Sequence, residues 1–242
     1  MLFTLLTTAA LATATPLKPR QWEGGPPISS APGLILVANV TQPTKNIFNP
    51  PVNHWYLSNA RIGPGKSAAV LSPNIADASL LFVNGTGQDR SSTNTAILAP
   101  PLDTNVGPIP MGLQFTRGWY GTYNGSVAYP GVNYGPGDNG ARIGVRDIYA
   151  RLFPPSLVGN GRFAVCDERD PVYGRPQYSV IWITYDGYTG EERPEPENCV
   201  EIELLAQCAE LPPLAGVDEL GIINIGSLCY ENVAAIDWSQ WR

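Results

Sequence analysis

The chain has a single histidine, His54, and this scarcity excludes several chemistries. A catalytic zinc site commonly uses two or three imidazoles. A copper site of the lytic monooxygenase kind needs an N-terminal histidine and a second one. A Ser-His-Asp triad would have to use His54, and no Gly-x-Ser-x-Gly elbow is present to carry the serine. Beside Trp55, the residue reads more simply as part of a strand. Lysine stops at Lys66, the arginines are scattered and the net charge is −6. Without a basic face to displace counterions, nucleic acid is not an expected partner, and neither is an anionic membrane surface. Charged residues make up 15% of the chain, against a usual value of about 25%. No segment reaches the length of about 20 apolar residues that spans a bilayer, so no membrane span is expected. No cysteine precedes Cys166.

Gly and Pro are abundant, with 25 and 24 residues. In a helix interior each Pro costs about 3 kcal/mol and each Gly about 1, so long helices are disfavoured. Hydrophobic residues still form 43% of the chain, enough to fill a core. The expected product is an all-β, mainly antiparallel fold, a β-sandwich or barrel with long Gly/Pro-rich loops. At most one or two short helices are expected, at Val145–Leu152 and around Asn232–Trp241. Strand signals run along the chain: Leu34–Val40, His54–Asn59, Ala68–Leu71, Leu80–Asn84, Ala96–Leu98, Met111–Thr116, Arg142–Val145, Phe163–Cys166, Tyr178–Tyr185 and Val200–Leu205. In the last two, bulky apolar and polar side chains alternate as in half-buried strands.

The first 14 residues read as a signal peptide. Leu2–Ala14 is apolar or small and uncharged, and it ends in the small-x-small pattern Ala12-Thr13-Ala14. Residues 15–31 are Pro-, Gly- and Ser-rich and read as a flexible N-terminus. Residues 32–207 form the β-rich domain, and 208–242 a C-terminal extension. The four cysteines, Cys166, Cys199, Cys208 and Cys229, all lie in the last third. An even count in an exported chain reads as two bridges. Three connectivities are open, and the sequential pairing Cys166–Cys199 with Cys208–Cys229 is favoured. A zinc site lacks the C-x₂₋₄-C spacing. Three Asn-x-Ser/Thr triplets, at Asn39, Asn84 and Asn124, point to a secreted glycoprotein with those asparagines on the surface.

Two phosphate-loop patterns prove weak. Ala60–Ser67 (ARIGPGKS) has Pro64 where a backbone donor is needed, and Pro73 leaves no room for the helix that should follow. It reads as a turn between strands. Gly135–Gly140 (GPGDNG) lacks the strand and βαβ frame of a dinucleotide site. In FAVCDERD, Asp167, Glu168 and Asp170 supply carboxylates of the type a glycosidase uses. Neighbouring strand residues face opposite sides, whereas a catalytic pair faces across a cleft. With Arg162 and Arg169 near enough to pair with them, these acids read as a solvated strand exit. No catalytic residue, metal or cofactor is assigned. The aromatic stretch Arg117–Gly135 offers Trp119, Tyr120 and Tyr123 as candidate carbohydrate contacts, with Tyr129 and Tyr134 further on. Flat rings stack on sugars and phenols hydrogen-bond them.

The segments ARIGPGKSAAVLSPNIADASLLFVNGT (60–86) and FAVCDERDPVYGRPQYSVIWI with ENCVEIELL (163–205) resemble a family of small secreted fungal proteins of unknown function, over residues 34–206. The resemblance implies that Cys166 and Cys199 are a bonded pair. It implies secretion and a β fold, and it carries no catalytic residue. The chain departs from the family after Ala206. Two functional classes therefore stand: a non-catalytic secreted glycoprotein acting at the cell wall or a host surface, and a carbohydrate-active protein. Candidate partners are a cell-wall polysaccharide or a surface protein.

Overall fold

The computed structural model describes residues 25–45, 47–105, 107–117, 127–146, 149–169, 176–185, 189–214, 216 and 218–241. Among the described residues fourteen strands follow in order. They are β1 (Ser29–Ala31), β2 (Gly33–Val40), β3 (Tyr56–Gly63), β4 (Lys66–Ser72), β5 (Phe82–Asn84), β6 (Ala96–Leu102), β7 (Ile109–Arg117), β8 (Val127–Tyr134), β9 (Arg142–Arg146), β10 (Tyr149–Phe153), β11 (Gly161–Arg169), β12 (Pro176–Thr184), β13 (Cys199–Ala209) and β14 (Ser227–Cys229). Among the described residues one α-helix occurs, α1 (Gly87–Ser92). It is short but closed by a capping box, in which Thr86 Oγ1 accepts the Asp89 N–H and the Asp89 carboxylate accepts the Thr86 N–H.

Six strands pair in the ring β2–β3–β4–β12–β11–β13 and back to β2, every step antiparallel. Of the two expected architectures, the fold is therefore a barrel, with further strands attached. The ring strands split their edges to hold them. β12 leaves β4 at Ser179 and pairs with β8 from Trp182, starting the sheet β8–β7–β6–β5. β13 leaves β11 and pairs with β10 at Leu205, which pairs with β9.

Alternation along the ring strands fills the barrel. Leu36, Ala38, Leu57, Leu71, Val165, Val180, Ile202 and Leu204 are all buried in one cluster. Six strands leave only enough width for side chains. Phe48 and Trp55 both meet Tyr178 edge-on, with ring centroids 5.3 and 5.2 Å away. β2 is buried on both faces, because Ile35 and Val37 meet a second cluster with Leu205, Tyr230, Val233 and Trp238. The C-terminal residues thus form a layer over the outside of β2 and β13. Fully burying each large apolar side chain of that layer contributes roughly 1.5–3 kcal/mol.

Both bridges follow the sequential pairing. Cys166–Cys199 joins residues directly opposite each other on β11 and β13. Cys208–Cys229 ties β13 to β14, which also pairs with β1. Of the two expected helices, the first is corrected and the second is present in 3₁₀ form. Val145 lies in β9 and Tyr149–Leu152 in β10; the two strands pair antiparallel, with Val145 opposite Ala150 and packed with it against the C-terminal layer. Asn232–Trp241 holds two 3₁₀ turns, Val233–Ala235 and Trp238–Trp241, the first capped by Asn232, whose Oδ1 accepts the Ala234 and Ala235 N–H groups.

Candidate functional site: two clefts outside the barrel

The ARIGPGKS segment forms the β3–β4 hairpin. Gly63 pairs with Lys66, so Pro64-Gly65 is the connecting turn. Gly65 takes φ 65°, which suits glycine. It also lies directly on the Tyr134 ring, since a Cβ there would sit 2.3 Å from Tyr134 Cδ2. The Tyr134 N–H donates to the Gly65 carbonyl at 3.0 Å, and Gln114 Nε2 donates to the Tyr134 carbonyl at 3.2 Å.

Beneath the turn, side chains join β4 to β8. Ser67 N–H donates to Asn133 Oδ1 at 2.7 Å, Ser67 Oγ to the Val132 carbonyl at 2.7 Å, and Val132 N–H to Asn59 Oδ1 at 3.1 Å. Asn133 is buried, so these bonds act where water competes poorly. Tyr134 is tied through its backbone N–H and carbonyl and its ring packs on Gly65, yet it remains 48% exposed. On one side a cleft of about 470 Å³ opens beside Lys66, Gln114, Thr116 and Tyr129. On the other, a space of about 360 Å³ opens beside Arg61 and Met111. Arg61 and Lys66 are the charged residues lining these spaces.

A second cleft, of about 650 Å³, lies between the β9–β10 hairpin and the start of β11. Arg142 and Arg146 line one side, Asn160 and Tyr185 the other, and Trp182 contributes from β12. The Arg142 guanidinium lies 5.0 Å from the centre of the Phe153 ring.

Of the FAVCDERD carboxylates, Asp167 and Glu168 differ in burial. Asp167 is exposed. Glu168 is half-buried, and burial pushes its carboxyl up while a hydrogen bond with Ser179 pulls it down. Asp170 lies outside the described residues, as do Trp119, Tyr120, Tyr123 and the sequon Asn124. Among the described residues Arg162 pairs with neither Asp167 nor Glu168. It reaches Glu192 at 3.2 Å, Glu201 at 3.6 Å and the Arg193 carbonyl at 2.6 Å. Near it, burial and the charge of Glu201 raise the Glu195 carboxyl, with Arg162 opposing. Arg151 pairs with Glu203. His54 occupies a turn at φ 65°, its N–H on the Ala38 carbonyl and its ring Nε2 3.0 Å from the Asn53 amide nitrogen. Burial lowers its pKa. Asn39 does not meet the expectation of a surface position, since it is 3% exposed inside β2, opposite Glu203. Asn84 is half-exposed and accepts the Ile223 N–H at 2.8 Å.

Residues 31–208 match the model of a domain of unknown function, DUF7907. The chain belongs to that family. The DUF7907 match ends at Cys208, one residue before the end of β13, so the six ring strands lie within it but for Ala209, and the C-terminal layer lies beyond it. Antigenic protein SchS34 of Stachybotrys chartarum is 25% identical over 236 residues, which cover 94% of this chain and 99% of the relative. That similarity extends beyond the DUF7907 match. No solved structure matches the chain.

Tyr134 stands in the aromatic stretch that the sequence offers, but its contact with the Gly65 turn was not legible there, and neither was the second cleft. The Gly-Pro-Gly turn was a signal for the first, but its contact is made 65 or more residues away. For the second, the signal was Arg142-x-Gly144-x-Arg146, which places two cations on one face of a strand.

Proposed function

We propose that this DUF7907 protein is an exported, non-catalytic glycoprotein acting at the cell wall or another extracellular surface. The observation that carries the reading is that all four cysteines are consumed in two bridges, and such bonds persist in oxidising compartments. The filled barrel supports it, because it leaves recognition to the outer surface. So do the ion pairs that hold Glu192, Glu201 and Glu203 on arginines. The antigenic character in the relative's name, carried over to this chain, accords with exposure outside the cell. Glycans are proposed at Asn84 and Asn124. The test is to express the full chain in a filamentous fungus and to analyse medium and lysate by intact mass and thiol labelling. The expected product is in the medium, lacks residues 1–14 and has no free thiol. Retention in the lysate with four alkylatable thiols overturns the reading.

A second reading is a sugar-binding protein that uses the Trp119–Tyr134 segment. What favours it is the exposed Tyr134 ring, which packs on Gly65 and lines both adjoining spaces. Flat aromatic faces can stack on sugar rings. Co-sedimentation with insoluble wall polysaccharide, weakened by Tyr134→Ala and by Trp119→Ala, is the result it requires.

A further inference from the structure

We infer that the cleft between the β9–β10 hairpin and the start of β11 binds an acidic polysaccharide that carries a carboxylate on successive sugar rings. Three observations converge on this ligand class. The first is charge. Arg142, Gly144 and Arg146 share one face of β9, and both arginines line the cleft. No carboxylate lines it among the described residues. Elsewhere Arg151 and Arg162 are neutralised by glutamates, whereas neither Arg142 nor Arg146 meets a carboxylate among the described residues. In a chain of net charge −6 the described residues here carry a local excess of positive charge, and a guanidinium pairs with a carboxylate through two parallel hydrogen bonds.

The second observation is spacing. Residues i and i+4 on a strand lie about 13 Å apart. That separation suits a chain with a charge on each unit better than one compact anion. The Phe153 ring lies over Gly144, within 3.2 Å of where a Cβ would stand, and fixes Arg142 beside it. Two cations are also too few for nucleic acid, which carries a charge about every 1.7 Å of duplex.

The third is the rest of the wall. Asn160 and Ser156 line the cleft beside the arginines, and their amide and hydroxyl groups can both donate to and accept from sugar hydroxyls. The volume of about 650 Å³ lies within the range of small-ligand sites.

This deepens the extracellular reading and rests on it for where the polymer is met. Binding itself is measured on the purified chain, so a failure of export and a failure of binding are separate results. The full chain is titrated calorimetrically with a short oligogalacturonate, a neutral cello-oligosaccharide, inorganic phosphate and a single-stranded DNA oligonucleotide. The oligogalacturonate is expected to bind, and more weakly as salt is raised. Arg142→Gln and Arg146→Gln are each expected to weaken it about tenfold, while Lys45→Gln, at an exposed position that lines none of these clefts, leaves it unchanged. Unchanged melting temperatures confirm that the variants are folded. Equal affinity for the neutral oligomer, for phosphate or for DNA overturns the proposal, as does binding insensitive to both β9 substitutions.

Discussion

The Tyr230 hydroxyl accepts a hydrogen bond from the backbone N–H of Ala150 at 2.9 Å, across 80 residues of sequence. Tyr230 is fully buried, and Trp238 packs edge-on against it with ring centroids 5.5 Å apart. This one phenol therefore locks the C-terminal layer onto β10. Tyr230→Phe keeps the ring and leaves the Ala150 N–H unpaired, at a cost of about 1–3 kcal/mol. The melting temperature should fall by about 2–4 °C for each kcal/mol.

The same residue predicts an alkaline limit. Burial pushes the Tyr230 phenol up to about 12, with the Ala150 hydrogen bond pulling the other way. In the unfolded chain the value is about 10. A proton held more tightly by the folded state stabilises it fully below pH 10 or so, and that contribution is lost as pH rises toward 12. Urea midpoints followed from neutral pH to about pH 12 should fall through this window. The fall should be smaller in Tyr230→Phe. Parallel curves for the two proteins would show that Tyr230 does not titrate in this way.

Cys166→Ser cuts the bond between two directly opposed barrel strands, whose cysteines are 33 residues apart. The expected loss is about 2–5 kcal/mol. The other bridge spans 21 residues and joins β13 to the C-terminal layer, and chain entropy assigns it about 3 kcal/mol. Differential scanning calorimetry with and without reductant measures both. A melting temperature indifferent to reduction contradicts the predicted stabilisation.

Much of the ring was legible because its strands announce themselves locally. β2, β11, β12 and β13 carry apolar runs or alternating patterns that hold wherever the strand lies in the sheet. β8 was not legible, because Pro130-Gly131 inside Val127–Tyr134 has the look of a turn. Its glycine answers a contact made in space: β8 crosses so close to β4 that residue 131 has no room for a side chain. β10 was hidden for a different reason. The short apolar stretch Val145–Leu152 fits either period until the hairpin places Val145 opposite Ala150. The clefts were the least legible feature, since each gathers residues from segments far apart in sequence. Charge counting alone masked the Arg142–Arg146 pair, because an average over the chain does not report where the carboxylates are.

The crossing of β8 and β4 makes a sharp prediction. At Gly131 a Cβ would stand 2.0 Å from the Ser67 carbonyl oxygen. That neighbour is backbone, so relief requires the strands to part, and with them the Ser67–Asn133 and Val132–Asn59 bonds. Gly131→Ala should destabilise the protein by more than the 0.5–3 kcal/mol or so of an ordinary substitution. Gly63→Ala is the control. A Cβ there meets nothing within 4 Å, so its urea midpoint should stay near that of the parent. Similar midpoints for both variants would mean that the close approach does not exist in solution.

The sequons should not behave alike. Asn39 is 3% exposed between β13 and the edge of β3, and its strand is buried on both faces. A glycan attached there before folding would have to fit into the buried space beside Glu203, or else keep β2 out of the barrel. Chains that fold should therefore carry no sugar at Asn39. Asn84 is half-exposed next to the α1 cap and has no such obstacle. Enzymatic deglycosylation in heavy-oxygen water marks formerly modified asparagines as labelled aspartates. Peptide mapping of the secreted protein should then find the label at Asn84 and none at Asn39. A labelled residue 39 in folded, disulfide-bonded protein would contradict the buried placement of β2, on which the C-terminal layer and its Tyr230–Ala150 contact both depend.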